Sequence, residues 1–180
     1  KGITHPEKDS HLESYFNQQD LRISLPQNFV AEACITLSAG GDLIPYTIIK
    51  PENCSNLWDH AGDFFFKNDI VFANLETVAD TSKPYSAAPE VMLHDMYFNI
   101  DENTFQIFSG NGKYRGYDVL STANNHTLDL GEDGVHGTIK FLQEHGIAWC
   151  GTASNAEERN RICMIERKGI RIAFIAYTFS

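Results

Sequence analysis

The sequence predicts a mixed α/β layered domain, a sheet flanked by helices, and two kinds of observation carry that expectation. The first is a set of three apolar runs that each end abruptly in polar groups. Residues 33–39 run into Gly40-Gly41-Asp42, residues 69–73 into Asn74-Leu75-Glu76, and residues 118–123 into Asn124-Asn125-His126. The second is the order strand, helix, strand that dominates the rest of the chain. In open α/β sheets the ligand crevice lies at the carboxyl ends of the strands, so the three polar endings point to one shared site.

Taken in order, residues 1–28 are polar, carry His5, Pro6, His11 and Pro26, and show no sustained period, which reads as an irregular N-terminal arm before a domain at 29–180. Alternation of Ala31, Ala33, Ile35 and Leu37 predicts a strand over 30–38. Leu57, Trp58, Ala61, Phe64 and Phe65 at helical spacing predict a helix over 56–66 that leads into the strand at Asp69. Residues 77–116, broken by Pro84, Pro89 and glycines, read as an ordered insertion with a short helix. Gly110 and Gly112 make a G-x-G look-alike without the strand or third glycine of a dinucleotide site, hence a turn. Val135, Ile139 and Leu142, with Gly146 at the C-cap position, predict a helix over 133–145. A brief strand at 147–150 and a hairpin of 161–166 with 170–177 around Arg167-Lys168-Gly169 complete the pattern.

With 180 residues the chain fits one domain, which buries roughly 70% of its unfolded surface and needs no staple. It opens on Lys1 rather than Met, so its start says nothing about an anchor. The formal net charge of −10 argues against nucleic acid or an anionic membrane as the main partner. Cys34, Cys54, Cys150 and Cys163 form no Cys-x-x-Cys pair, and three of them sit in apolar runs, so they read as buried thiols rather than disulfides.

If the strand ends converge, Asp42, Glu76, Asn125 and His126 make a hard-cation site. Carboxylate and amide oxygens suit Mg²⁺, Mn²⁺ or Ca²⁺, and imidazole admits Zn²⁺, Fe or Mn²⁺. Two divalent ions about 4 Å apart repel by roughly 17 kcal/mol at an effective dielectric of about 20, so a binuclear centre requires a bridging carboxylate, Glu76 or Asp42. Those two carboxylates would leave about +2, which matches a phosphate dianion. His126 is placed to protonate a leaving oxygen, and Asp129, three residues on, to orient its ring.

Each residue also has a plain structural reading. Asp42 after two glycines suits a turn, Glu76 a surface carboxylate, and Asn124 and Asn125 a cap or turn. Asp129 with Glu132 suits a helix N-cap, and His126 a hydrogen-bonded core histidine. His94-Asp95 reads as ordinary packing more than as an orienting pair. His60, His136 and His145 read as solvent-facing. The tripeptides starting at Asn53 and Asn125 fit a glycosylation pattern too short to decide anything.

The segments Gly40-Gly41-Asp42-Leu43, Asp69-Ile-Val-Phe-Ala-Asn74-Leu75-Glu76 and Gly116-Tyr-Asp-Val-Leu-Ser-Thr-Ala-Asn124-Asn125-His126-Thr-Leu-Asp129-Leu-Gly131 together resemble the CapA family of poly-γ-glutamate capsule synthesis proteins. The match continues through Gly146-Ile147, Gly151-Thr152 and Ile175-Ala176-Tyr177-Thr178, covering roughly residues 30–178. The family looks like a branch of the calcineurin-like metallophosphoesterases, which implies a layered α/β sandwich with a binuclear metal centre at the strand ends. The resemblance puts Asp42, Glu76 and Asn125 among the metal ligands, with His126 as the catalytic histidine. It departs in two places. The chain stops at Ser180 before the family's His-Trp-Gly-like and Gly-His-His-Pro-His-like motifs, so the domain is expected to be truncated. The residues after Gly41 are Asp42, Leu43 and Ile44, with no Asp-x-His.

The resemblance thus implies a capsule synthesis protein with a metal-dependent phosphoesterase site loaded with Mn, Zn, Fe or Mg. It acts on a phosphoester or polyanionic polymer, works with membrane synthase subunits, and is extracytoplasmic or membrane-associated when complete. The rival reading is a non-catalytic component that binds polymer or partner. An aspartyl-nucleophile phosphatase is disfavoured, because Ile44 stands where a second acid belongs.

Overall fold

The computed structural model describes residues 10–19, 24, 26–94 and 96–179. By contacts the chain divides into Lys1–Ala31 and Glu32–Ser180. The first unit contains a helix, α1 (Ser10–Gln18), so the lead-in expected to be irregular is helical over nine residues.

The second unit is built on a four-stranded parallel sheet in the order β1 (Leu37–Asp42), β2 (Ile70–Asn74), β3 (Val119–Ser121), β4 (Ala148–Cys150). Parallel neighbours require crossovers, supplied by α2 (Pro51–Cys54) with α3 (Gly62–Phe66), by the 77–116 insertion with α4 (Glu102–Phe108), and by α5 (Gly131–Glu144). Spatial order equals chain order, so crossovers of one hand place these helices on one face. The core agrees: Val71, Ala73 and Leu120 pack in one cluster with Phe66, Phe105, Phe141 and Leu142. Phe72, pointing to the other face by strand alternation, stacks on Phe174 at 5.4 Å. Phe174 belongs to a hairpin, β5 (Cys163–Arg167) and β6 (Ile170–Phe174), which follows the short α6 (Ala156–Arg159). Lys168 and Gly169, at φ 50° and 76°, make the hairpin turn.

Where sequence and structure differ, pairing and local caps explain it. The strand expected over 30–38 starts at Leu37 and runs on through the glycines to Asp42. Ala31–Ala33 form a 3-10 turn instead. Gly40 carries no side chain for a reason, since a Cβ there would stand 3.0 Å from the Phe65 ring. The helix expected over 56–66 survives only as α3. Residues 55–61 are turns, held by Asn111 Nδ2 donating to the carbonyls of Cys54 and Ser55 and by Trp58 Nε1 donating to Ile107 O. The insertion is ordered by Asn99, 1% exposed, whose Oδ1 accepts from Asp80 N and whose Nδ2 donates to the carbonyls of Asp80 and Pro84. Cys54, Cys150 and Cys163 are free thiols, the first two of them buried. Among the described residues no helix is long and apolar enough to cross a membrane.

Candidate active site

Asp42, Asn74 and Ser121 end three adjacent strands, so the polar residues that follow leave from one edge of the sheet. Asp42 pairs in register with Asn74 only because β1 bulges between Ala39 and Asp42, which carries Asp42 past the extra glycine residue. Beyond the strands the backbone keeps pairing: Leu43 N donates to Asn74 O, and Leu75 N to Ser121 O. Glu76 therefore emerges beside Asp42. Burial, followed by that neighbouring carboxylate, pushes the Glu76 pKa above its ordinary value, against a smaller opposite pull from His126.

After β3 the chain folds back within a few residues. Thr127 Oγ1 donates to Thr122 O at 2.6 Å and accepts from Asn124 N at 2.9 Å, closing the loop that carries the Asn-Asn-His triplet. Asn124 is buried and points under the strands, with Nδ2 donating to Leu75 O and to Asn74 Oδ1. Asn74 Nδ2 in turn donates to Asp42 Oδ1 at 2.8 Å. Asn125 is exposed at the tip of the same loop.

His126 is 8% exposed, and its Nδ1 lies 2.9 Å from Asp129 Oδ2. The same oxygen accepts from Phe98 N at 2.7 Å, so Oδ2 is the acceptor of the pair and Nδ1 its donor. The Phe98 ring stands edge-on to the imidazole at 4.5 Å between centroids. This tautomer leaves Nε2 without a hydrogen-bond partner among the described residues.

The structure thus brings Asp42, Glu76, His126 and Asp129 to one edge and leaves Asn125 exposed beside them. Asp129 does not cap α5: Leu130 occupies the cap position, without a side-chain cap bond. Asp95, half of the His94-Asp95 pair, lies outside the described residues. His145 is exposed, as the sequence suggests, and also bonds Glu102 and the Phe141 carbonyl. Sequence reasoning passed over Asn74, Asn124 and Phe98 as functional positions. The first two stand in the polar endings themselves, whereas nothing local in the insertion marks Phe98.

The donor set suits a hard divalent cation, since two carboxylates stand side by side, with the Glu76 pKa raised by burial first and by Asp42 second. Among the described residues no group of three or more His, Cys, Asp or Glu side chains is arranged to hold a metal.

The profile of the family described as bacterial capsule synthesis protein PGA_cap matches residues 36–180. The capsule biosynthesis protein CapA of Bacillus anthracis is 24% identical over 150 residues, which are 80% of this chain and 34% of that protein. Two Sinorhizobium fredii proteins, y4sH and y4uA, are each 24% identical over 108 residues, 60% of this chain and 23% of theirs. The chain spans about a third of the length of the CapA relative. The profile match takes in all six strands and every side chain of the strand-end cluster, and the chain belongs to the bacterial capsule synthesis protein PGA_cap family.

Proposed function

We propose that this chain provides the carboxylate and histidine part of a metal-dependent phosphoesterase site that acts in capsule synthesis. The observation that carries the reading is the placement of the Asp42 and Glu76 pair at the same sheet edge as the His126–Asp129 pair. Asp42 and Glu76 would hold a divalent cation such as Mn²⁺, Zn²⁺, Fe²⁺ or Mg²⁺, and Asn125, exposed beside them, is available as a further ligand. When bound, that ion supplies charge neutralisation at the phosphoryl oxygens. The protein's own part is proton delivery. As water adds to phosphorus, losing a proton to solvent, and the P–O bond breaks, the doubly protonated His126 ring gives its Nε2 proton to the departing oxygen and returns to the Nδ1–H form, while Asp129 on Nδ1 keeps the ring aimed and stabilises its charged form. The substrate is a phosphoester or a polyanionic polymer such as poly-γ-glutamate carrying one, and membrane synthase subunits are the partners we expect.

Hydrolysis of aryl phosphate mono- and diesters with Mn²⁺ by the full-length protein tests this. His126→Ala should reduce the rate by about 10²–10⁴-fold. Inactivity of the metal-loaded full-length protein on both esters would refute the proposal.

One observation favours a second, non-catalytic reading. The amides of Asn74 and Asn124 already satisfy one another, Asp42 and the loop backbone, as in a purely structural network that presents a surface to polymer or partner. Calorimetry of the full-length protein with Mn²⁺ and Zn²⁺ separates the two, since heat of binding belongs to the first reading alone.

A further inference from the structure

Three hydrogen bonds run head to tail from the backbone of His126 to the carboxylate of Asp42. His126 N donates to Asn124 Oδ1 at 3.0 Å, Asn124 Nδ2 to Asn74 Oδ1 at 3.2 Å, and Asn74 Nδ2 to Asp42 Oδ1 at 2.8 Å. The backbone end fixes the direction. A backbone N–H only donates, so flipping either amide would set donor against donor and acceptor against acceptor. Asn124 is further held by Nδ2 donating to Leu75 O at 2.8 Å. Amides aligned in this way polarise one another, and a charge at one end is felt along the chain.

We propose that Asn74 and Asn124 are positioning residues that couple cation binding at Asp42 to the placement of His126. Asn74 holds Oδ1 of Asp42 by a 2.8 Å hydrogen bond. A cation on that carboxylate weakens it as an acceptor, and the change passes through two amides to the His126 N–H. The inference rests on the metal-site reading above, and its consequence is distinct: the ligand and the proton donor respond to one another although no side-chain bond joins them directly.

The test uses the full-length protein, labelled with ¹⁵N-histidine, with Mn²⁺ in calorimetry and with millimolar Mg²⁺, which is diamagnetic, in ¹⁵N–¹H spectra. In wild type, Mg²⁺ should shift the His126 backbone amide resonance. Asn74→Leu, nearly isosteric and unable to donate, should weaken Mn²⁺ binding about tenfold to a hundredfold and abolish the His126 shift even at Mg²⁺ saturation. Asn124→Ala breaks the chain one link further on. It should remove the His126 shift with a smaller loss of affinity, and it carries the test if Asn74→Leu does not fold. Wild-type affinity retained in Asn74→Leu, or a His126 shift that persists in the saturated variant, overturns the coupling and leaves the metal site standing. Absence of Mn²⁺ binding by wild type overturns the metal site itself and the coupling with it.

Discussion

Asp129 Oδ2 accepts from two donors at once, His126 Nδ1 at 2.9 Å and Phe98 N at 2.7 Å, which ties the imidazole to the insertion that lies over it. Asp129→Asn replaces an acceptor-only group by an amide that cannot serve both donors equally, and it removes the charge that favours the Nδ1–H tautomer. The expected outcome is a rate about 10–100-fold lower with the fold retained. Imidazole ¹⁵N shifts of His126 would report the loss of the fixed tautomer.

Phe98 holds the same corner from the apolar side. It is 5% exposed, packs with Ala88, Val91 and Ile44, and meets His126 edge-on. Phe98→Ala should cost about 3 kcal/mol in urea unfolding by opening a cavity beneath the histidine, whereas Phe98→Leu, which fills most of that volume, should cost less than about 1.5 kcal/mol.

His145 near the end of α5 faces acceptors with both ring nitrogens, Nδ1 to Phe141 O at 2.8 Å and Nε2 to a Glu102 carboxylate oxygen at 2.9 Å. Burial opposes the charged ring, but the Glu102 carboxylate and the Phe141 carbonyl outweigh it, and the pKa is held above its ordinary value. A raised folded pKa means that the contribution is fully present below the unfolded histidine pKa, about 6.5, and is lost as pH rises through the folded value. Because Glu102 is 58% exposed, the pair is screened and its worth is below about 1 kcal/mol. Urea titrations should therefore show wild type exceeding His145→Gln at pH 5.5, with the gap closed at pH 8.5.

At the opposite edge of the sheet, Asp118 is sealed among donors. Oδ2 accepts from Val71 N at 2.7 Å, and Oδ1 accepts from Arg167 Nη2 at 3.0 Å and from Arg115 Nη1. Its side chain is 6% exposed. Asp118→Ala leaves a backbone N–H and two guanidinium groups without their acceptor, and it should lower unfolding free energy by about 3–5 kcal/mol. Hydrogen exchange would show the β5–β6 hairpin losing protection first, since Arg167 anchors it through that carboxylate.

The parallel core was legible in sequence because β2, β3 and β4 are buried strands whose apolar runs stop where their polar cargo begins. For the same reason Asp42, Glu76, Asn125 and His126 were legible as polar residues that follow neighbouring strand ends. The start of β1 was not legible. Alternation at 31–37 looks like a strand, but pairing with β2 selects Leu37–Asp42, glycines included, because Gly40 alone fits against Phe65. Nor was the amide chain, since an asparagine at a strand end reads equally as a turn former. Phe98 acts through a backbone N–H, which every residue except proline possesses, so its role depends on where the insertion folds.

Asp69 and Asp118, which precede β2 and β3, engage Arg115, Arg167 and Lys168. The domain is therefore polarised from end to end: these three basic side chains neutralise acids where the strands begin, and among the described residues the acids where they finish, Asp42 and Glu76, have no such Lys or Arg counterion. In a chain whose formal charge is −10, the resulting field draws small cations to the finishing pole and repels anions from it. Under the proposed function, an anionic substrate approaching that pole would meet a welcoming surface only after a cation had arrived, which would impose an order of arrival on the two.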